Sequence, residues 1–246
     1  MAAARESKPL YVDQHASMSV MVAAIRNQAA LHTLTPAEQF AFLHRLYVSV
    51  DALAGAHRLY KLYGGAQGFM LSTNVAEPDA DHATTLLEAA RALLQVLPEV
   101  RLPNGEALDV IMALSSGPAS SGLLGSVSLT YQLVGRSVAV AQELSQTQAH
   151  LPLVVTRSML DELPAEAAAG LVPVGHAYVA CSPDQPAEVF TLPAYRTLPL
   201  SRAVPVANAP PLMPAAPDAG DEWAQLGSGS DAGASTRSAS RVRASR

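Results

Sequence analysis

The sequence predicts an α+β fold with a split βαβ core, and three observations predict it. Short apolar runs rich in valine alternate with stretches of helical period. Gly64-Gly65, between two apolar runs, marks a hairpin, so part of the sheet is antiparallel. A second glycine-rich stretch, Gly117 to Gly125, joins two further strand-like runs and leads into a helix. With 246 residues, nearly half of them apolar, the chain has material for one good-sized core.

In order, residues 1–15 read as a leader. Ser17 to Ile25 is a short, valine-containing apolar run and reads as a buried strand. Thr35-Pro36-Ala37-Glu38 is a helix start, with Thr35 as N-cap, Pro36 at the first position and Glu38 closing a capping box. That helix carries Phe40, Leu43, Leu46, Val50 and Leu53 on its expected inner face and ends near Gly55 to His57. A hairpin follows around Gly64-Gly65. Asp79 or Asp81 caps a helix that turns Leu86, Leu87, Ala90, Leu93, Leu94 and Leu97 inward. Leu108 to Leu114 is a strand region, followed by a glycine-rich turn, a second strand and a helix from Ser137 to Gln146. Leu151 to Val155 is a strand, Arg157 to Leu163 a short helix, and Leu171 to Val174 and Ala187 to Leu192 are late strands. This order fits a ferredoxin-like βαββαβ core. Residues 16–195 form the expected domain. Pro, Ala, Gly and Ser dominate residues 196–246, which are expected to be disordered.

Composition removes several function classes. The net charge is −5, with Lys8 and Lys61 the only lysines, which argues against a nucleic-acid binder. Cys181 is the single cysteine, so an internal disulfide and a cysteine-rich metal site are excluded. No apolar run is long enough to span a bilayer. The expected setting is cytoplasmic, either as a soluble protein or as the soluble part of a membrane-associated one.

Local motifs add little chemistry. Gly117 to Gly122 has the glycine spacing of a phosphate-binding loop, but Leu123 and Leu124 stand where a lysine and a hydroxyl are needed. The histidines are scattered with no pair at i, i+4, so they read as surface or capping residues. Cys181 has no local activator. Ser115, Ser116, Ser120 and Ser121 read as turn hydroxyls serving backbone groups.

Gly117-Pro118, Gly122, Gly125, Tyr131, Gly135, Val138 and Ala141 together form a frame. It resembles GP-x3-G-x2-G-x5-Y-x3-G-x2-V-x2-A of class III adenylate/guanylate cyclase catalytic domains. Three further stretches resemble family landmarks in order. Met21 to Ile25 matches the first strand, Tyr60-Lys61 through Phe69-Met70 the Y-K…G-D-A-Y-M hairpin, and Gln185 to Phe190 the closing E-P-V-x-V-Y strand.

The resemblance implies a nucleotide cyclase fold over about residues 17–192. It also places the family's working residues. The two metal-binding aspartates fall on Ala24 and Gln67, and the base-selecting pair falls on Tyr63 and Gln132. The transition-state asparagine and arginine fall on Ala139 and Glu143, where a glutamate is expected to repel a triphosphate. The late phosphate-binding lysine falls near Cys181. The phosphate-cradling turn becomes Arg26-Asn27-Gln28-Ala29. Alanine cannot ligate, and a neutral amide is a poor ligand for hard magnesium. No Asp or Glu lies between Gln14 and Pro36 or between Ala52 and Val75. On this resemblance the chain is expected to hold no metal or other cofactor, and to be a pseudo-cyclase rather than an enzyme. Its expected role is a regulatory or scaffolding dimerisation module in signalling. A sensor binding a nucleotide or small molecule through Arg26, Tyr63, Gln67 and Gln132 is the alternative, and an active cyclase the lesser one. Family sites form between two domains, so the implied partner is a second copy or a related cyclase domain.

Overall fold

The strand at the centre of the sheet, β1 (Val12–Ile25), begins at Val12 rather than at Ser17, taking in the last residues of the expected leader. The computed structural model describes residues 11–125, 128–147 and 151–195. The expected disordered tail lies outside the described residues. Everything described belongs to the first of the chain's two units, Met1–Ala209.

Both faces of β1 are covered. Met21, Ala23 and Ile25 enter one apolar core, while Met18, Val20 and Val22 enter a second on the opposite face. A strand buried on both sides is apolar at successive positions, which is why the sequence reads there as an unbroken run.

After β1 come a short helix α1 (Gln28–His32) and the long α2 (Pro36–Ala56). The hairpin is β2 (Tyr60–Gly65) and β3 (Gly68–Thr73), followed by α3 (His82–Val96) and β4 (Val110–Leu124). Then come β5 (Thr130–Val134), α4 (Arg136–Thr147), β6 (Leu153–Thr156), α5 (Arg157–Leu160), α6 (Ala165–Ala168), β7 (Val172–Ala177) and β8 (Ala187–Thr191). The sheet order is β2-β3-β1-β4-β6-β8-β7, with β5 paired to β4. β1 is antiparallel to both β3 and β4, and β4 is parallel to β6. The succession β1-α2-β2-β3-α3-β4 is the expected βαββαβ core. Among the described residues, no helix is long and apolar enough to cross a membrane.

The capping box of α2 forms as expected: Glu38 N–H donates to Thr35 Oγ1 at 3.4 Å, and Thr35 N–H donates to Glu38 Oε2 at 2.9 Å. These bonds hold the Glu38 carboxyl below its ordinary range. The inner face of α2 differs from the expectation. Phe42, Leu46, Val50 and Ala54 are buried, whereas Phe40 is 76% exposed. α2 is apolar on nearly every side, so spacing alone leaves its orientation undetermined, and the sheet selects the i, i+4 row that fits. Phe42→Ala is therefore expected to cost about 3–5 kcal/mol, as buried phenylalanines do. Phe40→Ala is expected to cost within about 0.5 kcal/mol. Urea unfolding of the two variants separates them, and equal costs would contradict this orientation of α2.

The inward row of α3 is as expected: Leu86, Leu87, Ala90, Leu93, Leu94 and Leu97 are all buried. Its N-cap is Asp81, though no side-chain hydrogen bond forms there. The glycine-rich turn is corrected. Val110 to Leu124 is one strand, and Ser115, Ser116, Ser120 and Ser121 lie along it rather than in a turn. Gly122 serves strand proximity. A Cβ on Gly122 would lie 2.5 Å from the Tyr11 carbonyl oxygen, so a side chain would push the start of β1 away.

Candidate functional site

Three of the residues singled out by sequence, Ala24, Arg26 and Gln67, lie at the carboxyl end of β1. Ala24 pairs with Gly68 of β3 on one side and with Ile111 of β4 on the other. Gln67 sits in the two-residue turn Ala66-Gln67 between β2 and β3, two residues beyond the Gly64-Gly65 turn expected from sequence. Its carbonyl accepts from Ile25 N–H at 2.9 Å, so positions 24 and 67 are neighbours as the resemblance implies. The approach is tight. A Cβ on Gly68 would stand 1.9 Å from the Ala23 carbonyl oxygen, and Gly68 has φ +143°. Only glycine meets both conditions.

The chain turns away at Arg26, whose N–H donates to the Asp109 carbonyl at 2.8 Å. Asn27 fixes this corner from both sides. Its Nδ2 donates to the Ala107 carbonyl at 2.9 Å, and its Oδ1 accepts from Asp109 N–H at 3.2 Å. Asp109 is half-buried; burial pushes its carboxyl above the ordinary range, and the Arg26 charge pulls the other way. Sequence reasoning missed this carboxylate. Asp109 is far from Ala24 and Gln67 along the chain, and only the β1–β4 pairing brings it beside Arg26.

The remaining candidates stand on other elements. Tyr63 is on β2 opposite Met70, 45% exposed, with its phenol raised by partial burial. Gln132 is exposed on β5 opposite Gly122. Its neighbour Tyr131 meets Tyr60 of β2 edge-on at 5.4 Å, so the two strands bearing the candidate pair lie close to one another. Ala139 and Glu143 lie on α4, both half-buried.

Glu143 bonds to the backbone of the 180–185 loop. Its carboxylate accepts from the N–H of Cys181 at 2.9 Å and also from that of Ala180. Arg136, on the same helix, donates to Ser182 Oγ at 2.6 Å and Gln185 Oε1 at 3.2 Å. Together they tie α4 to the 180–185 loop. The Cys181 thiol is pushed up by burial and then by the Glu143 charge, which disfavours a thiolate nucleophile.

The expectation for the histidines is also corrected. His82 is buried, with Nδ1 at 2.8 Å from Ser19 Oγ and Nε2 at 3.9 Å from Glu162, and Ser19 Oγ lies 2.6 Å from Ser116 Oγ. Glu162 follows His82 by many residues in sequence, so only folding reveals this partner. His15 likewise meets Ser121 Oγ at 2.7 Å.

The residues at the end of β1 do not fit a site built on two carboxylates. Ala24 offers no donor atom and Gln67 only a neutral amide. Among the described residues, no three His, Cys, Asp or Glu side chains gather to hold a metal ion. What this end offers instead is a cation, Arg26, beside a carboxyl, Asp109.

Residues 10–190 match the family model of the adenylate and guanylate cyclase catalytic domain. The adenylate cyclase of Mycobacterium tuberculosis (strain ATCC 25618 / H37Rv) is 29% identical over 139 residues, covering 56% of this chain and 31% of that protein. The matched part of the chain thus spans under a third of that relative's length. Among solved structures, the guanylate cyclase domain of RhGC from Catenaria anguillulae in complex with GTP is similar, with a TM-score of 0.65 at 20% identity. The likeness covers 72% of this chain and 96% of that one. The dimeric guanylyl cyclase domain of the RhoGC fusion protein from Blastocladiella emersonii matches with a TM-score of 0.63 at 18% identity, over 74% and 98%. These likenesses establish the fold. They also overturn the expectation that the chain is not an enzyme, because the matched family is catalytic and its named relatives are cyclases.

Proposed function

Because this chain belongs to the adenylate and guanylate cyclase catalytic domain family, we propose that it takes part in nucleotide cyclisation as one member of a pair of cyclase domains. The observation that carries this reading is the family match over residues 10–190, together with the Arg26–Asp109 corner at the end of β1. In the reaction the ribose 3′ oxygen bonds to the α-phosphorus of a nucleoside triphosphate, the 3′ proton is lost, and pyrophosphate departs. Arg26 provides a fixed cation for phosphate oxygens. Gln67 and Tyr63 on the β2–β3 hairpin and Gln132 on β5 offer further polar side chains to the nucleotide.

Ala24 and Gln67 supply no carboxylate, so the partner is a related cyclase domain that carries its own, rather than a second copy. Pairing brings the two sets of groups to one cleft, and the chain thereby regulates the output of the pair. Such control needs no new fold, since cyclase sites form between domains.

The test is cyclic nucleotide formation from ATP and from GTP, by each domain alone and by the mixture. The mixture is expected to exceed the sum of the separate rates by about tenfold or more, since one well-placed electrostatic group is worth on the order of 10²–10³. The Arg26→Ala variant is expected to lose most of that gain. A mixture that only adds the separate rates, with no complex on a sizing column, would refute the reading.

A further inference from the structure

We infer that the Gln28 side-chain amide and the Tyr47 hydroxyl are positioning groups that brace the end of β1 against the β2–β3 turn, so that this end of the chain keeps its shape without a divalent cation. The inference concerns the chain by itself and does not rest on the proposed pairing.

Gln28 is the first residue of α1, in the stretch where the family resemblance puts a phosphate-cradling turn. Its Nε2 donates to the Ile25 carbonyl at 3.1 Å and to the Ala66 carbonyl at 2.8 Å. A primary amide has two N–H bonds, so both contacts form at once and join the end of β1 to the turn that carries Gln67.

Tyr47 approaches the same turn from α2. Its hydroxyl accepts from Gly65 N–H at 2.8 Å and shares its one proton between the carbonyls of Gly65 at 2.6 Å and Gly68 at 2.7 Å. Burial raises this phenol to about 12, so it remains a donor throughout the neutral range. The ring itself is fixed. It meets Phe69 edge-on at 6.2 Å, Lys61 lies over it at 5.4 Å from the centroid, and Lys61 is paired with Asp51. Gly64 lies against the ring so closely that a Cβ there would be 2.7 Å from it.

These contacts hold the end of β1 and the β2–β3 turn together through protein groups alone. A carboxylate in place of the Gln28 amide would disrupt the arrangement, because the groups facing it are carbonyl acceptors. The brace is therefore specific to an amide donor.

The experiment is amide hydrogen exchange on the full chain, with a chelator and with manganese, comparing residues 64–69 with β6 and β8. Exchange over 64–69 is expected to be the same in both conditions. Gln28→Glu keeps the size but cannot donate, and Tyr47→Phe removes only the hydroxyl. Each is expected to speed exchange over 64–69 about tenfold, the loss of one or two local bonds, while β6 and β8 are unchanged. Should Tyr47→Phe prove too unstable to purify, Gln28→Glu carries the test alone. Slower exchange over 64–69 in manganese for the unmodified chain, or unchanged exchange in Gln28→Glu, would overturn the inference.

Discussion

Gly68→Ala is expected to abolish folding, or to cost more than about 4 kcal/mol, which places it among the rare severe substitutions. The added Cβ would stand 1.9 Å from the Ala23 carbonyl oxygen, 2.9 Å from its carbon and 3.1 Å from Ala24 Cα. All three are backbone atoms, so no side-chain rotation relieves the clash. β1 cannot retreat, because it is held by β3 on one side and β4 on the other. The φ of +143° at Gly68 adds a conformational penalty for any L side chain. Gly65→Ala, just before the Ala66-Gln67 turn, is the control. Nothing lies within 4 Å of a Cβ at that position. Its cost is expected to stay within about 1 kcal/mol. Urea unfolding followed by circular dichroism compares the two, and a Gly68→Ala protein as stable as Gly65→Ala would mean that the hairpin does not meet β1 in this register.

The second large effect comes from returning carboxylates to the end of β1. The double variant Ala24→Asp, Gln67→Asp places two acidic groups on neighbouring strand ends. Without a divalent cation they repel each other, and the Asp at the half-buried position 24 also lacks a hydrogen-bond donor, so the melting temperature is expected to fall. With manganese at a hundredfold over its dissociation constant, stability is expected to rise by about 2.7 kcal/mol. The unmodified chain is expected to show no manganese-dependent shift, as its alanine and amide are poor partners for a hard cation. Differential scanning calorimetry with chelator and with manganese reads both effects. A manganese shift as large in the unmodified chain as in the variant would place a cation site on groups other than those at 24 and 67, with Asp109 the first to examine.

These two experiments bear on the same few ångströms from opposite directions. Gly68 sets how closely the turn approaches β1, and positions 24 and 67 set what chemistry that approach brings together. The Gln28 and Tyr47 contacts explain how the approach persists in a chain with neither carboxylate.

Features that depend on local spacing were legible in the amino-acid order alone. The capping box at Thr35 and Glu38, the buried row of α3, the hairpin at Tyr60 to Thr73 and the glycine frame from Gly117 to Ala141 all lie within short windows, where period and turn chemistry carry the signal. The family followed from that frame. The placement of positions 24 and 67 came from the family resemblance, and the β1–β3 pairing makes them neighbours.

Tertiary structure decided the rest. Glycines with the spacing of a turn lie along β4, because a glycine needed for close strand approach looks the same in sequence as one needed for a bend. Phe40 faces outward although it is large and apolar, since a helix apolar all round is oriented by the surface it packs on. His82 meets Ser19 and Glu162, Glu143 meets the backbone of Ala180 and Cys181, and Arg26 meets Asp109. Each of these pairs is distant in sequence and adjacent in space. The expectation of a chain without catalysis is overturned by the family match and not by any carboxylate that folding brings to positions 24 and 67.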